Sequence, residues 1–231
     1  MRYALIGLLM ALAAATASEA AVNVSIGINI PTYPRLVAVP GTAVYYAPAV
    51  DANYFFYDGL YWVFDGDEWL ASSWYNGPWR SVGPEYVPGY LWQVPVRYYR
   101  RPPVYFQSWR RDIAPRWGEH WGADWRYRHD GWDRRARYAP APLPSYQRQY
   151  SGSRYPQAEQ QTQILSQYYR YQPREQAVRE QYRQQGIQQP VVQGVQRGHG
   201  RGEGHQGKGN HGEGNQGEGN HGKHEGRGHD R

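Results

Sequence analysis

The chain has 231 residues, a formal net charge of +6 and no cysteine. The absence of cysteine excludes disulfides, thiolate metal sites and cysteine nucleophiles. Its 10 Trp and 22 Tyr outnumber its 4 Phe, so we expect a core of aromatic side chains that mostly carry a polar atom.

The first twenty residues have the form of a secretory signal peptide. Arg2 precedes an apolar run from Ala4 to Ala15, which is shorter than the ~20 residues of a membrane helix. Small side chains predict cleavage after Ala20, with Ala17 as the competing site. We therefore expect a periplasmic or extracellular protein without a transmembrane segment. Export argues against nucleic acid as a partner.

The residues after this segment predict short β-strands. Apolar and mostly β-branched residues alternate with polar residues or glycine from Val22 to Ile30, which is typical of a half-buried strand. Residues 36–39 and 44–46 predict two further short strands around Pro40-Gly41. Residues 87–99 predict one more.

Three Asp-Gly or Asn-Gly steps between residues 54 and 82 predict β-hairpin turns. A two-residue loop at Asp58-Gly59 pairs Phe55 with Trp62, and one at Asp65-Gly66 pairs Trp62 with Trp69. These three aromatic residues then share one face of the sheet, and Phe56, Tyr61 and Leu70 share the other. The third step, Asn76-Gly77, sets Trp74 opposite Trp79.

These patterns predict a mainly β fold: a small antiparallel meander, sandwich or barrel-like domain over residues 21–106. Since both faces of the meander are apolar, one face must pack on another element, and the N-terminal strands are the expected partner.

The remaining chain divides into three segments by composition. Residues 107–137 predict a Trp/Arg-rich helical extension, because Trp117, Trp121 and Trp125 recur every four residues. Residues 138–196 are rich in Pro, Tyr and Gln and predict a mostly disordered segment with short helices at 157–169 and 174–185. Residues 197–231 form a Gly/His-rich low-complexity tail, for which we expect disorder.

Charge is distributed unevenly along the chain. Residues 21–95 carry a net charge of −4, whereas residues 96–140 carry eleven Arg against five acids, a net charge of +6. This basic segment is expected to contact either an anionic partner or the acidic domain itself.

Few residues have the arrangement that catalysis requires. Asp58 and Asp65 flank one predicted strand and would lie about 20 Å apart, too far for a paired-carboxylate mechanism, so we interpret them as turn residues. Only His120 and His129 lie outside the tail, and no nucleophile motif accompanies them. The sequence therefore predicts a non-enzymatic protein without a cofactor.

Two binding functions remain open alongside a general interaction or structural role. Tyr61, Trp74 and Trp79 are candidates for stacking against cell-wall or polysaccharide sugars, if their row is exposed rather than core. In the tail, His205, His211, His221 and His224 could gather nickel, zinc or copper, although a solvated tail is the simpler interpretation.

The stretches YFFYDGLYWVF, SSWYNGPW, GPEYVPGYLWQVPVRYY and RWGEHWG, with SYQRQYSGSRYPQAEQQ further on, resemble a group of exported, aromatic-rich proteobacterial envelope proteins without an assigned activity. The resemblance covers most of the chain and implies an envelope location, with an envelope protein or a cell-wall polymer as the expected partner. VPGYLWQVP is also similar to a single degenerate unit of the WXXGXW-type repeats of secreted bacterial proteins. Neither resemblance implies catalytic residues.

Overall fold

The computed structural model describes residues 23–24, 27–131 and 138–187. The predicted signal peptide, its cleavage site at Ala20 and the Gly/His-rich tail lie outside these residues. Within the described ranges, no helix is both long enough and apolar enough to cross a membrane.

A seven-stranded antiparallel sheet forms the centre of the fold, with strand order β1-β7-β6-β5-β4-β3-β2. The strands are β1 (Asn23–Val24), β2 (Val37–Ala38), β3 (Tyr45–Tyr46), β4 (Asn53–Tyr57), β5 (Leu60–Asp65), β6 (Glu68–Ser72) and β7 (Trp79–Val82). The expected mainly β, antiparallel meander is confirmed. The sheet is open, however: the N-terminal strands extend its two edges and do not form a second layer.

The first hairpin has the predicted register. Asp58 and Gly59 form its loop with φ angles of 50° and 94°, as a type I′ turn requires. Phe55 lies opposite Trp62, so the two rings share what we call the first face of the sheet. Tyr54 and Tyr61 point to the opposite, second face.

The second hairpin differs from the prediction by its choice of loop. The sequence Asp-Gly-Asp offers two Gly-containing loops, and the chain uses Gly66-Asp67, whose φ angles are 53° and 66°. Trp69 therefore lies opposite Phe64 and not opposite Trp62. This change moves each partner by two residues, and because side chains alternate with a period of two, every residue keeps its predicted face. The Trp69 and Phe55 rings are indeed 6.1 Å apart.

Two further strand predictions are wrong. Residues 73–78 form a longer connection between β6 and β7, so Trp74 does not lie opposite Trp79. Residues 87–99 form no strand and contain helix α1 at Gly89–Trp92 and a 3₁₀ turn at Val96–Tyr98. A proline stands directly before each of these helical segments, and its missing N–H is unsuited to a strand interior.

The first face is covered by residues 84–131. This layer contains 3₁₀ turns at Pro84–Tyr86 and Val104–Ser108, together with α1, α2 (Trp117–His120) and α3 (Gly122–Arg128). The Trp92 ring lies within 5.5 Å of the rings of Trp69, Trp117 and Trp125. The four-residue Trp spacing thus marks helical segments as expected. Gly122, the first residue of α3, has a φ of 84°, so the segment forms two short helices and not one.

The second face is covered by residues 138–187, which differ from the mostly disordered segment that their composition suggested. Helices α4 (Ala158–Tyr168) and α5 (Gln176–Gln184) lie close to the predicted ranges. Between these and the sheet, Gln147 is fully buried. It accepts a hydrogen bond from the hydroxyl of Tyr61 and donates one to the carbonyl of Ser73. Glutamine is compatible with a core when its amide is paired in this way.

A candidate ligand-binding groove

The three predicted sugar-stacking residues lie in the core. Tyr61, Trp74 and Trp79 expose 0%, 0% and 3% of their surface. Tyr61 packs under Gln147, and the Trp74 indole donates to the carbonyl of Gln161. A sugar ring cannot stack on a side chain without accessible surface, so these residues do not form the exposed row that the hypothesis required.

The predicted metal ligands His205, His211, His221 and His224 lie outside the described residues, and metal binding by the tail stays a prediction. Within the part of the chain that the structure describes, no group of three or more His, Asp or Glu side chains is arranged to hold a metal ion.

An open groove of about 940 Å³ lies between the first-face layer and α5. Its size is at the upper end of the range of small-molecule sites. The groove is lined by residues in and directly after the 3₁₀ turn at 84–86, by the start of the 138–187 segment, and by residues directly before and along α5: Glu85, Tyr86, Val87, Tyr138, Arg174, Glu175, Gln176, Ala177, Glu180 and Gln184.

Asp58 fixes the position of the α5 wall of this groove. Its carboxylate accepts hydrogen bonds from the Tyr171 hydroxyl at 2.6 Å and from the backbone N–H groups of Arg174 and Glu175 at 2.9 Å each. Glu175 is the N-cap residue of α5, so the turn aspartate also satisfies an amide next to the helix start. Burial raises the pKa of Asp58, and these donors counteract the increase only in part.

Two tyrosine side chains expose large parts of their rings to the groove. Tyr86 is 49% exposed and Tyr138 is 44% exposed. The Arg174 guanidinium lies 5.6 Å from the centre of the Tyr138 ring and donates to the carbonyl of Ala139 at 2.9 Å. The Tyr90 ring lies 5.9 Å from that of Tyr138. Tyr138 is therefore held in place while part of its ring stays accessible.

Carboxylates outnumber guanidinium groups among the residues that line the groove. Glu85, Glu175 and Glu180 contribute three carboxylates and Arg174 one guanidinium, and Glu180 is paired with Arg183 outside the lining. One oxygen of Glu175 accepts a hydrogen bond from the Tyr57 hydroxyl at 2.6 Å. Burial, together with the charge of Glu175, raises the pKa of Tyr57, which therefore stays a hydrogen-bond donor at neutral pH. The arrangement provides rings for stacking and several acceptors for hydroxyl or amide donors.

A second polar cluster joins the other end of the sheet to the first-face layer. Tyr105 donates to one oxygen of Asp67 at 2.5 Å, and Nε2 of His120 lies 3.2 Å from the other oxygen. The Tyr105 and His120 rings stack with centroids 3.7 Å apart. Burial and the hydrogen bond to Asp67 raise the pKa of Tyr105. Asp67 is a turn residue with a φ of 66°, and its carboxylate fastens α2 and the 104–108 turn to the hairpin.

Sequence reasoning did not find the groove. Tyr86 lies directly before the strand predicted for residues 87–99, and Tyr138 begins a segment for which disorder was expected. No local pattern links the two residues, because the groove is formed only when Asp58 holds the start of α5 beside the first-face layer.

Comparison of the chain with protein-family models, with curated proteins and with solved structures gives no significant match. The resemblance to exported envelope proteins therefore stays a prediction.

Proposed function

We propose that this protein is an exported, non-enzymatic binding module of the bacterial envelope, and that its groove binds saccharide. The observation that carries the proposal is the pair of half-exposed tyrosine rings, Tyr86 and Tyr138, in an open groove lined by carboxylates, amides and a guanidinium. Sugars present an apolar C–H face and a rim of hydroxyl groups, and this lining offers a surface for each.

The charge of the groove narrows the class of saccharide. The lining holds three carboxylates and one guanidinium, and Glu180 is already paired with Arg183. The two other carboxylates still outnumber the guanidinium, which disfavours uronic acids and other anionic sugars, because like charges repel. Neutral, N-acetylated and amino sugars fit the groove better, since their hydroxyl, amide and ammonium groups donate to carboxylate oxygens.

Export has its own test. The protein recovered from the envelope of its native cells should begin at Ala21 when its N-terminus is determined by mass spectrometry. Recovery from the cytoplasm with Met1 retained would refute export and leave the groove to bind an intracellular ligand.

Sugar binding is tested with the predicted mature chain, residues 21–231, and purified peptidoglycan or neutral polysaccharide. Co-sedimentation and calorimetry should show binding, and the double variant Y86A/Y138A should bind about tenfold more weakly, which corresponds to about 1.4 kcal/mol of lost stacking.

Tyr127 provides a matched control. It is 86% exposed and lies on α3, outside the groove, so Y127A should bind as wild type does. Circular dichroism should confirm that all variants are folded. Retention of binding by folded Y86A/Y138A, or equal losses in Y127A, would contradict the proposed site.

A further inference from the structure

The layer on the first face of the sheet presents a basic surface that the groove does not use. Residues 96–131 contain eight arginines and four acidic residues, and all eight arginines are exposed. Three of them pair with carboxylates: Arg101 with Asp51, Arg110 with Asp112, and Arg116 with Glu119. Arg100, Arg111 and Arg128 form no ion pair with any described residue.

Backbone hydrogen bonds gather part of this charge into one patch. Val96 N–H donates to the carbonyl of Ile113 at 3.0 Å, and Arg97 N–H donates to that of Arg111 at 2.9 Å. Nε of Arg97 also donates to the carbonyl of Arg111 at 3.3 Å. Arg97 and Arg111 are thus fixed side by side, with Arg110 next to them in the chain. Asp112 lies within the patch and offsets one of its three positive charges.

The same layer also carries two exposed aliphatic side chains. Val104 is 78% exposed and Ile113 is 40% exposed, and both lie in the same layer. Val96, Phe106 and Trp109 of the same layer are buried. Arginine binds phosphate through two parallel N–H donors, and exposed aliphatic groups favour the boundary between headgroups and acyl chains.

We propose that this arginine surface, formed by Arg97, Arg110, Arg111 and Ile113, binds the protein peripherally to an anionic lipid membrane, with the exposed Val104 of the same layer as a second aliphatic contact. An acidic polysaccharide would also attract the arginines, but it would gain nothing from the exposed aliphatic groups. The combination of guanidinium and aliphatic side chains therefore favours phospholipid. This inference is independent of saccharide binding, because none of these residues lines the groove.

The test is co-sedimentation of the 21–231 chain with vesicles of phosphatidylcholine, with and without phosphatidylglycerol, at low salt. Binding should require phosphatidylglycerol and weaken as salt is added. The variant R97Q/R111Q should bind about 30-fold more weakly, from about 1 kcal/mol for each arginine near an anionic surface.

A matched control removes the same charge elsewhere. Arg154 and Arg170 are exposed residues of the second-face layer, so R154Q/R170Q should retain most of the binding. Equal losses in both double variants would overturn the site, because net charge alone would then explain attraction. Failure of wild type to bind phosphatidylglycerol vesicles at low salt would overturn it as well.

The aliphatic residues distinguish lipid from an acidic polymer. V104S/I113S should bind vesicles about tenfold more weakly, because less apolar area is buried at the interface. The same variant should bind polygalacturonate as wild type does. If V104S/I113S leaves vesicle binding unchanged while polygalacturonate binds more tightly than the vesicles, the surface recognises acidic polysaccharide and the membrane proposal is wrong.

Discussion

Replacing Asp58 with glycine should release α5 from the first hairpin while leaving the turn intact. The φ of Asp58 is 50°, and glycine adopts this conformation freely, so D58G removes the carboxylate without adding backbone strain. Three donors lose their acceptor: the Tyr171 hydroxyl and the backbone N–H groups of Arg174 and Glu175.

The expected loss follows from these contacts. A hydrogen bond to a charged group contributes about 1.5–3 kcal/mol, but Asp58 is only 4% exposed and its desolvation offsets part of that gain. With about 1 kcal/mol for each donor, D58G should lower the free energy of unfolding by about 3 kcal/mol. D58N keeps one oxygen but turns an amide NH₂ toward backbone donors, and should lose less.

Urea unfolding followed by tryptophan fluorescence measures this difference, and hydrogen exchange of residues 176–184 locates it. Exchange in α5 should accelerate more than exchange in β5. The control D51N removes an exposed pair with Arg101 and should change stability by less than about 0.5 kcal/mol. A loss below about 1 kcal/mol in D58G, or unchanged exchange in α5, would refute the anchoring role of the carboxylate.

Three further predictions test the same architecture. The folded-state pKa of Asp58 lies above its ordinary value of 3.8, so the native state takes up the proton first as pH falls. Wild type should therefore gain stability relative to D58N as the pH is lowered from 7 to about 4. A gain in stability with rising pH, measured by urea titration, would contradict this. A Cβ at Gly59 would lie 2.3 Å from the Tyr182 hydroxyl oxygen, whereas no described atom lies within 4 Å of a Cβ at Gly66. The free energy of unfolding should therefore fall by at least about 2 kcal/mol in G59A and by about 1 kcal/mol in G66A. Equal losses in the two variants would show that Tyr182 moves freely. W74A should lose about 3–5 kcal/mol in thermal or urea unfolding, because its indole is fully buried; a loss below 1 kcal/mol would show that the side chain is not part of the core.

Local chemistry made the first hairpin predictable. Asp58-Gly59 supplies both positive φ angles of a type I′ turn, and it fixes the pairing of Phe55 with Trp62. The second hairpin was ambiguous, since Asp-Gly-Asp contains two possible loops. Packing favours the observed one, in which the Trp69 ring lies 5.1 Å from that of Phe64.

The long-range layers were not predictable by the same reasoning. Composition indicated disorder for residues 138–187 because glutamine and tyrosine are poor signals of a core. The buried amide of Gln147 and the buried hydroxyl of Tyr61 satisfy each other only after the chain has folded over the sheet. No window of sequence contains both partners. The groove could not be predicted for the same reason. Tyr86 and Tyr138 line one groove only after the residues before and along α5 have packed beside them.

The paired glutamine and tyrosine groups of the second face also determine when this protein can finish folding. A chain synthesised from its N-terminus contains all seven strands once Val82 has been added, yet Tyr61 and Trp74 lack their partners until Gln147 and Gln161 have followed. The second face of the sheet therefore gains these two hydrogen bonds only after the strands are complete. We expect it to reach its full stability late in synthesis, when the layer that ends at Ile187 has been added.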